Sequence, residues 1–342
     1  MEEAKRILLT GATGFIGSYV CRLLVGQGYI VHITKRDQSR THLIDSVLDK
    51  VTVHNIALDD IAFMGDLMDQ VDIVVHCAAI ITIQPHTKAE LFDVNVDLTR
   101  DLVNLALASK IEHFIFLSSV AALGLPKNGV ELDESNGWDD NDTHGDYGIS
   151  KYRAELELRR AEAEGLNITI LNPSLVLGGG FWNSGTPSIF KNLDGFMPFM
   201  PVGSNGFVDV RDVAQSVSNA ILNPVVFGKR IIISGHNEDL KIAFNNIRNR
   251  MGRPAVKRLL NKSNAWLFKF LDMIRALFTN NQRLLTSEAV EIMSATKKYS
   301  NKLSKELLHL EYRPLEVTIK EVVEHYKESK ESNAQYKVLS FD

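Results

Sequence analysis

Thr10-Gly11-Ala12-Thr13-Gly14-Phe15-Ile16-Gly17 follows directly on the apolar run Ile7-Leu8-Leu9 and leads into a stretch with helical patterning, Ser18 to Gln27. A glycine turn between a first strand and a first helix aims free backbone N–H groups at an anion. The helix dipole there adds about 0.5–1 kcal/mol to anion binding. The placement between strand and helix, more than the glycines themselves, marks this as a pyrophosphate loop; without it the segment is simply a glycine-rich turn. Gly11, Thr13, Gly14, Phe15, Ile16 and Gly17 are therefore candidate cofactor contacts. The G-x-x-G-x-x-G spacing departs from the G-x-G-x-x-G fingerprint of the older dehydrogenases.

Outward from the loop, short strand-like runs alternate with helical patterns: Ile7 to Thr10, Tyr29 to Thr34, Val51 to Asn55, Val71 to Cys77 and His113 to Leu117, with later runs at Asn167 to Leu171 and Arg230 to Ser234. Such alternation predicts an α/β chain with a doubly wound parallel sheet covered by helices on both faces. Near-continuous apolar strands such as Ile73-Val74-Val75 agree with burial on both sides. Near residue 174 glycine and proline punctuate the chain, from Gly178-Gly179-Gly180 to Pro201 and Gly203. The reading is a cofactor domain over 1–175 with returns at about 207–235, a small, mostly helical C-terminal substrate lobe over 176–206 and 236–328, and a poorly anchored tail over 329–342.

Composition narrows the function classes. Of 342 residues 45% are apolar and 23% charged, with a net charge of −4, which provides no basic field for nucleic acid. Cys21 and Cys77 both lie in apolar runs, so they read as core residues and not as a disulfide or thiolate site. No uninterrupted apolar stretch has the ~18 residues of a membrane span, and the first residues leave no room for a signal peptide. A cytoplasmic location is expected.

Dinucleotide sites read the adenosine ribose at the end of the second strand, where an acid accepts the 2′-OH and a base accepts a 2′-phosphate. Here the segment is Val31-His32-Ile33-Thr34-Lys35-Arg36-Asp37, with Arg40 close by. Lys35 and Arg36 favour NADP(H), since guanidinium pairs with phosphate through charge-assisted hydrogen bonds. NAD(H) is the alternative if the basic turn is solvated and Asp37 holds the ribose.

Tyr147 and Lys151 share a helix face at i, i+4, where an ammonium beside a phenol favours the phenolate. Alone, the pair is what many surface helices carry. The strand His113 to Leu117, however, ends in Ser118-Ser119 on the carboxyl edge of the sheet, where ligands of α/β folds bind. A serine hydroxyl there can donate to a carbonyl oxygen that Tyr147 protonates. The competing reading has both serines capping local backbone.

With these pieces assembled, the chain resembles an extended (atypical) short-chain dehydrogenase/reductase of the NAD-dependent epimerase/dehydratase superfamily, in its dihydroflavonol reductase-like branch. The resemblance covers nearly the whole chain: TGATGFIG at 10–17, ITKRD at 33–37, HCAA at 76–79, VNVDLTRDLVNLA at 94–106, FLSSVAALG at 116–124, YGISKYRAE at 147–155, NPSLVLG at 172–178 and FVDVRDVA at 207–214. It implies a Rossmann-type fold, with Ser119 as catalytic serine, chosen over Ser118 because it stands five residues before Gly124. It likewise implies Tyr147 as acid/base and Lys151 as its modulator and ribose ligand. Ala78 and Ala79 would line the cofactor, Pro173 and Ser174 would abut the nicotinamide, and Asp209 would help seat the lobe. The Asp usual after the third strand is replaced by Asn55-Ile56-Ala57, and the usual Pro after LG by Gly179, which predicts a more mobile substrate loop.

Phe181 and Trp182, beside that glycine run, are the candidates for substrate contact. Leu259 to Phe278 forms an apolar stripe that fits a lobe helix as well as an interfacial one, so peripheral membrane association is not expected. The ten histidines show no metal-ligand spacing, no metal is expected, and His144 reads as loop surface. The expected activity is an NADP(H)-dependent oxidoreductase acting on the carbonyl or carbinol carbon of a small molecule. A nucleotide-sugar epimerase/dehydratase with retained NAD and a non-catalytic NADP(H) sensor are the alternatives; monomer and homodimer are both open.

Overall fold

The computed structural model describes residues 4–81, 88–125, 131–139, 144–260 and 294–341. Seven strands form one all-parallel sheet: β1 (Arg6–Thr10), β2 (Ile30–Lys35), β3 (Thr52–Asn55), β4 (Ile73–His76), β5 (His113–Leu117), β6 (Ile168–Pro173) and, later in the chain, β10 (Lys229–Ile233), in the order β10-β6-β5-β4-β1-β2-β3. The chain runs outward from β1 to β3, then returns to place β4 on the other side of β1. The order thus reverses between β1 and β4 and opens a crevice at their carboxyl ends.

Strand periodicity builds two cores. Ile7, Leu9, Ile33, Ile73, Val75 and Ile115 point to the face covered by α1 (Phe15–Gly26), while Leu8, Val74, Phe114 and Phe116 point to the other. That second face is covered by α2 (Ile61–Met68), α4 (Leu98–Ala108) and α5 (Asp146–Ala163), with α3 (Lys88–Phe92) joined to α4 by a π turn at Asp93–Asp97. Burial on both sides explains why these strands read as unbroken apolar runs.

Past β6 the chain adds β7 (Leu175–Leu177), α6 (Ser188–Asp194), β8 (Met200–Pro201) and β9 (Ser204–Asp209) before α7 (Val210–Ala220), which packs on α1. β11 (His236–Asp239) pairs antiparallel with β9, and β9 pairs parallel with β7, in a separate three-stranded sheet. α8 (Leu240–Arg250), β12 (Leu259–Leu260), α9 (Lys302–Leu308) and α10 (Leu315–Glu331) complete the described lobe. Most of the apolar stripe Leu259 to Phe278 lies outside the described residues.

Two expectations are corrected here. Residues 332–341 are anchored, not loose: Leu339 is buried, its N–H donates to the Tyr19 hydroxyl at 2.7 Å, and its carbonyl accepts from Arg22 at 3.1 Å. The segment reads as a tail because it is polar in sequence, while its few apolar residues find partners far away in the chain, Leu339 and Phe341 on α1. The 178–180 run, expected as a mobile loop, is closely packed as well. A Cβ on Gly179 would collide with the Lys337 carbonyl, and one on Gly178 with Val210, so glycine is needed for close packing.

Candidate active site

The glycine turn is closed by Gly14 N–H donating to the Gly11 carbonyl at 3.0 Å. Gly11 has φ +73°, and a Cβ on it would collide with the backbone of Ala78, while one on Gly17 would overlap the Gly11 carbonyl. Only backbone therefore fits in this cradle. α1 starts at Phe15 with no side-chain cap and no acid in its first turn, so its leading N–H groups keep their partial positive charge for an anion. The residues present thus fit a dinucleotide pyrophosphate. Ala78 abuts the turn, its N–H donating to Thr10 Oγ1 at 3.3 Å, and Ala79 follows it past the end of β4.

Beyond β2 a cleft of about 480 Å³ opens beside the turn. Thr13, Arg36, Ser39 and Arg40 line one side of it; Phe181, Asn183, Ser184 and Gln335 line the other. No carboxylate is among these residues. The basic turn is ordered by Ser39 N–H donating to the Arg36 carbonyl at 2.8 Å. Lys35, at the end of β2, does not line the cleft; the structure brings Arg40 to Arg36 in its place.

At the carboxyl end of β5, Ser119 begins a short 3-10 turn, its Oγ accepting from the Ala121 N–H at 3.1 Å. The first turn of α5 delivers the Tyr147 phenol close enough to the same hydroxyl for Ser119 to favour its ionised form. Burial nevertheless pushes the phenol up to about 12, with the Ser119 contact pulling weakly against it. The expected depression by Lys151 is absent in this geometry. The Lys151 ammonium turns away to donate to the Leu117 carbonyl at 2.8 Å and lies 4.1 Å from the centre of the Phe116 ring. At 1% exposure its pKa falls to about 7 through desolvation, with Glu155 and Cys77 opposing.

Two polar networks that sequence reasoning missed hold this edge. Glu155, one turn beyond Lys151, accepts from Ser118 Oγ at 2.5 Å and from Asn172 Nδ2 at 2.6 Å, and Asn172 also donates to the Ser119 carbonyl at 2.8 Å. In the second, His76 bridges Thr10 Oγ1 at 2.6 Å and Thr99 Oγ1 at 3.1 Å, and burial pushes its pKa down to about 3, which keeps the imidazole neutral. Asn95, in the π turn, bonds both the N–H and carbonyl of Ile80 and donates to Ser150 Oγ, whose proton goes to the Tyr147 carbonyl. Their sequence signal was weak: polar residues inside apolar patterns, whose partners are far away in the chain.

The remaining candidates fall elsewhere. Pro173 and Ser174 lie at the end of β6, with Ser174 N–H donating to the Ile233 carbonyl and its own hydroxyl buried without a hydrogen-bond partner among the described residues. Trp182 is no substrate contact: it is 4% exposed and packs edge-on against Tyr326 at 5.2 Å. Phe181 instead lies under Arg40 at the far end of the crevice. His144, half-buried outside any helix or strand, stacks on Trp138 at 3.6 Å. Asp209 caps α7 through the Arg211 N–H and pairs with the Arg211 guanidinium.

Known proteins agree with this architecture. The model of the NAD dependent epimerase/dehydratase family matches residues 7–233. Cinnamoyl-CoA reductase 2 of Arabidopsis thaliana is 30% identical over 229 residues, 63% of this chain and 68% of that protein. A putative dihydroflavonol 4-reductase of Synechocystis sp. is 32% identical over 274 residues, 76% of this chain and 75% of that one. Among solved structures, that of gox2253 superposes with a TM-score of 0.81 at 27% identity, over 95% of this chain and 98% of the other. UDP-glucose 4-epimerase of Thermotoga maritima, with UDP-glucose, gives 0.75 at 20% identity over 95% and 99%, a likeness of fold. On the family match, the two reductase relatives and the shared sheet, the chain belongs to the NAD dependent epimerase/dehydratase family, as an extended short-chain dehydrogenase/reductase of the dihydroflavonol reductase-like branch.

Proposed function

We propose that the protein is an NADP(H)-dependent reductase that moves hydride to or from the carbonyl or carbinol carbon of a small molecule. The observation that carries this reading is the Tyr147 phenol set against the Ser119 hydroxyl at the carboxyl edge of β5, on the side of the crevice away from the basic cleft. The bound coenzyme would supply the hydride. Tyr147, with its pKa raised by burial, carries its proton at neutral pH and is fit to give it to a carbonyl oxygen. Ser119 donates to the same oxygen and stabilises charge developing there. Lys151, which donates to the Leu117 carbonyl, would hold the ribose of a bound coenzyme, and its ammonium would lower the phenol when the reaction runs as an oxidation.

Arg36 and Arg40, unopposed by a carboxylate in the cleft, support NADP(H) over NAD(H). The names of the two curated relatives, both reductases, favour this chemistry over that of the epimerase neighbour. Consumption of NADPH, followed by its absorbance against a panel of aldehydes and ketones, tests the proposal. Tyr147→Phe should lower the rate by about 10²–10⁴-fold with little change in coenzyme affinity. Equal rates in the variant would end the proposal, and tightly retained NAD(H) in purified protein would favour the epimerase reading.

A further inference from the structure

The cleft that begins at Arg36 is completed by chain from far outside the nucleotide-binding half. Its far wall consists of Phe181, Asn183 and Ser184, just after β7, and of Gln335 near the carboxyl terminus. These two pieces are tied together: Trp182 N–H donates to the Gln335 carbonyl at 3.1 Å, Lys337 N–H donates to the Gly180 carbonyl at 3.3 Å, and Phe181 and Tyr336 form an antiparallel bridge. The wall is in turn clamped onto the basic turn. The Arg40 guanidinium lies 5.6 Å from the centre of the Phe181 ring, and His42 meets Tyr336 at 5.2 Å.

The two sides of the cleft are chemically complementary toward one kind of ligand. One side carries two guanidinium groups with the hydroxyls of Thr13 and Ser39; the other carries, beside the Phe181 ring, neutral polar groups able to donate hydrogen bonds, the Ser184 hydroxyl and the Asn183 and Gln335 amides. Asn183 Oδ1 is taken by Lys191, which leaves its amide N–H₂ for other partners. A phosphomonoester is a dianion with three acceptor oxygens, so two paired with arginines leave lone pairs turned outward that neutral donors satisfy. A ribose hydroxyl offers no such excess of acceptors.

We propose that Ser184 and Gln335 are specificity-determining residues for a coenzyme 2′-phosphate, reached from the side opposite Arg36 and Arg40, so that the carboxy-terminal segment is part of the coenzyme site. This rests on the NADP(H) reading above and adds to it a second wall, which no residue of the β2 turn supplies. Its consequence is that phosphate recognition and the docking of residues 335–337 on 180–182 reinforce one another.

The test is calorimetric titration of the full-length protein with adenosine 2′,5′-bisphosphate and, separately, adenosine 5′-monophosphate. The wild type should bind the bisphosphate at least tenfold more tightly. Ser184→Ala with Gln335→Ala should lower that affinity about a hundredfold or more and leave the monophosphate unchanged, the size expected for two hydrogen bonds to a charged acceptor. Gln335→Glu, at an exposed position where misfolding is not at issue, should weaken bisphosphate binding further by placing a carboxylate against the phosphate. If Arg36→Ala loses the preference while the Ser184/Gln335 variants keep it, the second wall is refuted and the coenzyme reading stands. Equal losses for both nucleotides would show a merely structural role and refute it as well. A wild type that binds both nucleotides alike removes the coenzyme reading and this proposal together.

Discussion

Lys151 sits at a protonation boundary because burial and charge pull it in opposite directions. Desolvation lowers its pKa to about 7, while the Glu155 carboxylate one turn away favours the ammonium. The sign of the effect on stability follows. Between pH 7 and the ordinary lysine value the unfolded chain holds a proton that the folded chain has released, so this group makes the protein more stable as pH rises through that window. The unfolding free energy of the coenzyme-free protein, from denaturant titration, should therefore climb between pH 7 and 8.5 relative to that of Lys151→Met, by about 2 kcal/mol. The comparison with the variant matters because Cys21 and Cys77, both pushed up to about 12 by burial, weaken the fold above the ordinary thiol range. Parallel pH curves for the two proteins would show that the ammonium is kept charged in the fold.

At the scale of elements, α7 joins the nucleotide-binding half to the lobe. Its N-cap, Asp209, accepts from the Arg211 N–H at 2.8 Å, pairs with Arg211 Nη2 at 2.7 Å and accepts from Thr318 Oγ1 of α10 at 2.8 Å, all in a buried setting. Arg211 is 3% exposed, so removing the carboxylate leaves a buried guanidinium with Glu321 as its remaining acidic partner. Asp209→Ala should cost about 3–5 kcal/mol in urea unfolding, combining the lost cap with a broken buried pair. A loss below about 1 kcal/mol would mean that Glu321 alone holds Arg211. The carboxylate of Asp212, paired with Arg313, anchors the same helix one turn on.

Across the whole molecule, residues far apart in the chain close one surface. Leu339 is buried against α1, Arg211 donates to the Ser340 carbonyl at 3.2 Å, and the Phe341 ring meets Tyr19 at 6.1 Å. The helix that starts at the glycine turn is thus braced from behind by the end of the chain. Leu339→Ala should lower stability by about 2–5 kcal/mol as a buried cavity is opened. Chemical denaturation measures it, and a loss under about 0.5 kcal/mol would show the segment to be dispensable.

Much of this was legible from residues alone, for a physical reason. Strand periodicity, the glycine turn and the i, i+4 spacing of Tyr147 and Lys151 are local, so the β1–α1 unit, the alternation of strands and helices and the shared helix of that pair follow from nearby sequence. Tertiary structure alone decided what depends on distant partners. It lined the cleft with Arg36 and Arg40 and left Lys35 out of it; it turned the Lys151 ammonium to Leu117; and it buried Trp182 and made Gly178–Gly180 a packing contact. It also made an anchored wall of a segment that reads as a polar tail. Short-range pattern encodes which face of an element is buried; which element it is buried against is settled only when the chain closes on itself.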